Sequence, residues 1–168
     1  MNFLRRFARM ELVALGFLIA SLMLSPSLAR SASTELKLSG KDSATGESVV
    51  RTFTLEQLRE LPRAEVSTTT IWTEGTQHFE GVLLIKLWEA AGLSAPKEIR
   101  AKALNDYVAV IPAADLETDT VLIADRRNGR DMRVRDKGPL WIIYPSDASA
   151  VDYVDKMVWQ LIALEAVH

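Results

Sequence analysis

The chemistry open to this chain starts with one internal histidine. His78 lies in the stretch TTTIWTEGTQHFEG, residues 68–81, between Glu74 and Glu80. Imidazole and carboxylates are competent ligands for zinc or iron. The spacing matches no established metal motif, however, and the other histidine, His168, is terminal. An ordinary loop histidine is the plainer reading. Combined with a serine and an aspartate, His78 could also serve a hydrolase, but no Gly-x-Ser-x-Gly turn is present to expose the nucleophile. Cysteine is absent throughout, which removes disulfides, thiolate metal sites and cysteine nucleophiles together. No metal-ligating residue is assigned.

A second group with chemical potential is basic. Arg126, Arg127, Arg130, Arg133, Arg135 and Lys137 put six cations within twelve residues, interleaved with Asp125, Asp131 and Asp136. The guanidinium fork suits an oxyanion or phosphate. Equally, such charges keep an exposed edge strand from aggregating. In an extended chain Arg133 and Arg135 share one side, and Met132 and Val134 take the other. Among the aromatics, Trp88, Trp141 and Trp159 read as core, whereas Trp72 and Tyr144 fall near strand ends.

These residues must be positioned by a fold of modest size. Residues 1–29 read as a leader: Arg5, Arg6 and Arg9, then the apolar run LVALGFLIASLML, then small residues ending in Ser27-Leu28-Ala29. That order is a secretory signal, with cleavage expected after Ala29. The apolar run is shorter than the roughly 20 residues a membrane span needs. Arg5-Arg6-Phe7 leaves general and twin-arginine export both open. From Arg30 onward, 139 residues carry 17 basic and 21 acidic side chains. One domain with its own core is expected over 30–168. The acidic balance argues against a nucleic-acid surface, and export without disulfides points to the bacterial periplasm.

Along that domain, TELKLSG and VVRTFT read as strands around a polar turn. TLEQLRELP reads as a helix, with Thr54 and Gln57 spaced as a capping box and Pro62 as its stop. AEVSTTTIWT predicts one long β-branched strand. VLLIKLWEAAG predicts a helix closed by Gly92. EIRAKAL alternates, YVAVI reads as a buried run, and TVLIADRRNGRDMRV predicts a hairpin turning at Asn128-Gly129. GPLWIIYP is an apolar strand, and Val158, Gln160, Ile162 and Leu164 suit a final one. The fold class is α+β, a mixed sheet with few short helices.

In this order, FTLEQLRELP, a Thr-rich strand, FEGVLLIKLWEAAGL and NDYVAVIPAADLETDTVLIADRRNGRDMRVRDKGPLWIIYP resemble the sulfite-oxidase-type molybdopterin-binding oxidoreductase domain, over about residues 50–166. The resemblance implies a periplasmic or organellar redox domain, with molybdenum held by a pyranopterin dithiolene and one cysteine thiolate. A soft thiolate suits that metal and helps to set its potential. Matching Glu74-Gly75 to the family's turn puts Trp72 in the cysteine's place, and a slip of one or two residues puts Ile71 or Thr73 there. None of these supplies a thiolate. Family members that hold the whole pterin are also longer, with basic and polar loops around its phosphate tail.

By the same resemblance, strand ends face the cofactor cleft. A cleft lined by Trp72, Asn105, Asp106, Tyr107 and Tyr144, with Arg133 nearby, suits a small planar or anionic ligand. Three functions follow. The first is a non-catalytic ligand-binding or sensory module that reuses the cleft without a cofactor. The second is a molybdopterin-dependent oxidoreductase acting with a redox partner. The third is a structural or interaction subunit. A small anionic or aromatic ligand and a periplasmic or membrane sensor or redox protein are the expected partners.

Overall fold

Polar turns and caps set the limits of the first elements. A computed structural model of the chain describes residues 34–145 and 153–168. The expected leader and its cleavage point lie outside the described residues. Strands β1 (Glu35–Lys41) and β2 (Ser48–Thr54) pair antiparallel around the KDSATGES turn. Thr54 then caps α1 (Leu55–Glu60). Its hydroxyl accepts from the Gln57 amide at 3.3 Å, and its own amide donates to Gln57 Oε1 at 2.9 Å. Two donors that a helix start would leave unpaired are thereby satisfied.

The Thr-rich segment does not continue as one strand. Strand β3 (Arg63–Thr68) ends at Thr68, opposite Gln77 of β4 (Gln77–Leu83). Thr70 is the cause. Its side-chain oxygen accepts from the Trp72 amide at 3.2 Å, its carbonyl accepts from the Thr73 amide at 3.3 Å, and the Thr70 and Thr73 hydroxyls lie 2.8 Å apart. Hydroxyl bonds to nearby backbone offer the chain a turn in place of a ladder. Strand β4 leads into α2 (Leu84–Ala90), after which Gly92 turns the chain at φ +64°.

Strands β5 (Glu98–Ala103) and β6 (Val108–Pro112) form an antiparallel hairpin, followed by the short helix α3 (Ala113–Leu116). The run expected to be buried in β6 alternates instead. Ala109 and Ile111 face the core, while Val108 and Val110 stay about half exposed because they lie on the solvent-facing side of an antiparallel pair. Strand β7 (Leu122–Arg127) turns at Asn128-Gly129, both at positive φ, into the two-residue β8 (Arg130–Asp131). Beyond β8 the chain forms a single 3-10 turn (Val134–Asp136), so the strand alternation expected for Arg133 and Arg135 does not apply. Strands β9 (Trp141–Ile143) and β10 (Leu161–Val167) complete the set.

The strands form two five-stranded sheets. In the first, the order is β2-β1-β10-β5-β6, mixed because β10 runs parallel to β1 and antiparallel to its other neighbour β5. In the second, β3-β4-β7 continues to β8 and β9, both on the far edge of β7, and every pairing is antiparallel. Close approach of β4 to β7 requires Gly81, where a Cβ would come within 2.1 Å of the Ile123 carbonyl oxygen. The final strand has its buried residues at Leu161 and Leu164, not at an even spacing, since a bulge between Leu161 and Ala163 shifts the register. The architecture is α+β, and the described residues belong to one compact unit. Among them no helix is long and apolar enough to cross a membrane.

Among the described residues one charged side chain is deeply buried. Asp125, 2% exposed on β7, accepts from Arg59 Nε at 3.0 Å and takes both Arg63 terminal nitrogens at 2.6 and 3.2 Å. It joins α1 and β3 to the centre of the second sheet. Replacing Asp125 with Ala should lower the unfolding free energy by about 2 kcal/mol, since two guanidinium groups lose their partner but remain within reach of water. Urea denaturation of the variant measures this directly, and a loss below roughly 0.5 kcal/mol would put the clamp's contribution in the range of a surface pair.

Candidate functional site

The loop that interrupts the Thr-rich segment delivers Trp72 to a group of indoles. Trp141, fully buried on β9, packs edge-on against Trp72 and Trp159 with ring centroids 5.9 and 6.4 Å away, and against Phe79 at 5.4 Å. Trp72 and Trp159 are themselves 4.8 Å apart at 80°. Such edge-to-face contacts are the favoured arrangement for aromatic quadrupoles.

Beside this group lies a pocket of about 880 Å³. Ile71 and Trp72 supply the loop side, and Met157, Val158 and Trp159 supply the segment before β10. Ala103, Asn105 and Tyr107 come from the tip of the β5–β6 hairpin, with Val154 and Asp155 completing the described lining. The hairpin tip is held by its own polar groups. Asn105 Oδ1 accepts from the Tyr107 amide at 3.2 Å, Asp106 adopts φ +65°, and the Tyr107 hydroxyl donates to the Asp155 carbonyl at 2.7 Å. That last bond fixes the hairpin to the 153–160 segment and sets the pocket's width. Most of the wall is apolar, and its charged member is an acid, Asp155.

The six residues assigned to a cleft from sequence therefore separate. Trp72, Asn105 and Tyr107 meet at one pocket. Asp106 points away and pairs with Lys102 at 2.8 Å, a hydrogen bond that holds its carboxyl below the usual aspartate range. Arg133, with a side chain 69% exposed, pairs with Asp136 at 3.3 Å. Tyr144 is buried elsewhere: its hydroxyl donates to Asp115 Oδ2 at 2.9 Å, and its ring stacks on Tyr153 at 4.7 Å. Lys156 donates to the same Asp115 oxygen at 2.8 Å. Burial, followed by the Asp115 bond, pushes the Tyr144 phenol well above its ordinary value.

From sequence Trp159 reads as core and Val158 as part of the final strand, Ile71 enters only as an alternative to Trp72 by a slip of register, and Met157 carries no reading. The available signal was three consecutive apolar residues, 157–159, ahead of a strand whose alternation they do not fit. Lys137 also went unassigned individually. Its ammonium nitrogen sits 3.9 Å from the Trp159 ring centroid and 5.6 and 5.8 Å from those of Trp72 and Trp141. Burial, then the nearby Arg127 charge, pushes its amine below the ordinary lysine value.

His78 is drawn into a different network. Its Nδ1 lies 3.1 Å from Ser67 Oγ across the β3–β4 pair, and its Nε2 lies 3.3 Å from Glu65 Oε2. The connectivity is that of a triad, but all three sit on an exposed sheet face, and none of them lines the pocket. Glu74 stays in the preceding loop, and no group of three or more His, Asp or Glu converges among the described residues.

With this geometry in place, comparison with solved structures is informative. The chain is similar to the sulfane dehydrogenase SoxCD from Paracoccus pantotrophus, with a TM-score of 0.62 at 19% identity, over 79% of this chain and 38% of that one. The fold is shared with a sulfane dehydrogenase. This chain spans well under half of the neighbour's length. No family model matches the chain, and no curated protein matches it either.

The cofactor implied by the sulfite-oxidase-type resemblance can be tested on the residues present. A molybdenum centre of that kind takes one protein thiolate, and the chain has no sulfur donor of that type. The loop offers Ile71, Trp72 and Thr73, and the pocket beside it has an apolar wall with no cation in its described lining. The donor set does not fit a thiolate-held metal with an anionic tail.

Because Tyr144 lies outside the pocket, its hydroxyl should affect stability and not binding. Replacing Tyr144 with Phe should cost about 1 kcal/mol, one net hydrogen bond, while Lys156 keeps Asp115 paired. Thermal unfolding gives the cost, and any ligand that shifts the wild-type melting temperature should shift the variant's equally.

Proposed function

We propose that this chain is an exported, non-catalytic module that binds a small, flat and largely uncharged ligand in the Trp72–Trp159 pocket. The observation that carries this reading is the pocket's lining. Two indoles, a phenol and several aliphatic groups enclose a volume within the roughly 300–1,000 Å³ usual for small-molecule sites, and Asn105 adds one amide for orientation. The described lining contains no basic group to hold an anion and no soft donor to hold a metal. Aromatic faces favour a planar partner through dispersion and quadrupole contacts. Export and a periplasmic location rest on the basic, apolar and small-residue order of residues 1–29, and a membrane sensor is the partner such a module would serve.

A molybdopterin-dependent oxidoreductase working with a partner is the second reading. The fold shared with SoxCD supports it, and the donor set weighs against it. Purification from the periplasm of a host that makes the cofactor, followed by molybdenum and pterin assays per chain, separates the two. A near-stoichiometric content would favour the oxidoreductase.

For the ligand-binding reading, thermal-shift and indole-fluorescence titrations with uncharged bicyclic aromatics, such as indole and quinoline, should give saturable responses. Replacing Trp72 with Ala should weaken binding about 10-fold, the equivalent of one aromatic contact plus some buried area. An undiminished response would remove Trp72 from the pocket. No response to any member of the series would favour an interaction subunit.

A further inference from the structure

The basic stretch 126–137 holds a second candidate site once its ion pairs are assigned. The two aspartates within it and Asp125 just before it are all taken: Asp125 by Arg59 and Arg63, Asp131 by Arg59 and Arg126, and Asp136 by Arg133 and Arg135. Arg127 and Lys137 form no ion pair or side-chain hydrogen bond among the described residues. Both are only partly exposed. Arg127 lies opposite Phe79 in the β4–β7 register, Phe79 packs on Trp141 at 5.4 Å, and the Lys137 ammonium lies 5.8 Å from the same Trp141 ring, which places both cations beside the indole cluster; the Arg127 charge acts on Lys137 there. Like charges gathered in a partly desolvated place raise the free energy unless a counter-charge joins them.

We propose that Lys137 and Arg127 bind a small oxygen anion, a carboxylate or a phosphate group, beside the indole cluster of Trp72, Trp141 and Trp159. The site is separate from the apolar pocket, whose described lining includes neither cation. The backbone supports the assignment. Lys137 holds φ +71°, a conformation costing a side-chain-bearing residue about 1 kcal/mol, where Gly or Asn would be at ease. It is kept there by bonds on both sides: Gly138 donates to the Arg133 carbonyl at 2.9 Å, the Gln160 amide to the Lys137 carbonyl at 3.2 Å, and the Gln160 side chain to the Val134 carbonyl at 2.8 Å. A lysine fixed in a strained conformation, with its ammonium over indole faces, is pre-positioned. The rings favour its charge, as cation–π contacts do, but they do nothing to offset its repulsion from Arg127. An anion bridging the two cations would do so, with the guanidinium fork donating to two of its oxygens.

The experiment is a titration of the full chain with inorganic phosphate and, separately, with acetate, both at constant ionic strength. It is followed by tryptophan fluorescence, since Lys137 lies against Trp159. A saturable change with phosphate alone identifies a phosphate group, with acetate alone a carboxylate, and with both a general oxygen-anion site. Lys137→Asn, which the left-handed backbone tolerates, and Arg127→Gln should each weaken binding at least 10-fold, whereas Arg135→Gln should leave it unchanged. Non-saturable responses to both anions, explained by screening alone, would overturn the proposal. So would Arg135→Gln weakening binding as much as Arg127→Gln does. If Lys137→Asn proves unstable by circular dichroism, Arg127→Gln decides alone, and wild-type affinity in that variant counts against the site.

Discussion

Trp141 is the joint between the two sheets, and both candidate sites depend on it. Its indole N–H donates to the Met157 carbonyl at 3.1 Å, and its ring is fully buried. Burying an indole removes about 200 Å² from water, worth on the order of 5 kcal/mol before ordering costs. Only a satisfied N–H lets that gain be kept. Around this ring the 157–161 segment runs along β9: Ile142 donates to the Val158 carbonyl at 2.9 Å, and Leu161 to the Leu140 carbonyl at 3.1 Å. The chain thereby leaves the second sheet at a fixed height and enters the first as β10, between β1 and β5. Without the joint, neither Trp159 nor the Met157–Val158 wall would have a defined position.

The surroundings of the indoles divide by charge. The pocket is walled by aliphatic and aromatic groups and by the hairpin tip, which Tyr107 fixes to Asp155. Lys137 reaches the same rings from a turn pinned by Gln160. Two kinds of attraction thus meet at one aromatic cluster: dispersion against uncharged matter, and Coulomb attraction for an anion at the neighbouring cations. The two share the rings of Trp72 and Trp159 but draw on different further groups. The pocket uses strand ends of the first sheet and the Trp72 loop, and the cations use the β7–β8 hairpin and the turn that follows it.

Features whose cause is local were legible in the sequence. The Thr54–Gln57 capping box, the Asn128-Gly129 turn and the Gly92 stop each follow from residues within three or four positions of one another. The resemblance reads Trp72 as lying near a strand end and Asn105–Tyr107 as a turn; Trp72, Asn105 and Tyr107 all line the pocket. Misreadings arose where a distant partner or a competing bond decided. The Thr-rich segment has strand composition, but Thr70 spends its hydroxyl and carbonyl on a turn. Tyr144 looks like a cleft residue until Asp115, 29 positions away, takes its hydroxyl. In the basic stretch, interleaved acids read as even compensation. Pairing with Arg59 and Arg63, far away in sequence, draws Asp125 off; Arg127 and Lys137, both only partly exposed, are left over together with the exposed Arg130 among the described residues.

The same logic limits what a shared fold conveys about chemistry. A strand that ends in a loop beside a cleft can present any side chain placed there, and the side chain determines the interaction. A thiolate at such a position would coordinate a metal and carry charge into the site. An indole contributes area, a quadrupole and one N–H donor, and no lone pair suited to a metal. Placing Trp72 beside Trp159 at 4.8 Å also gives the loop a hydrophobic contact that a thiolate would disfavour. Trp72 is coherent with the rest of the wall, since Ile71, Met157 and Val158 match the indole in polarity. The loop's geometry belongs to the fold, and its chemistry is that of the indole it presents.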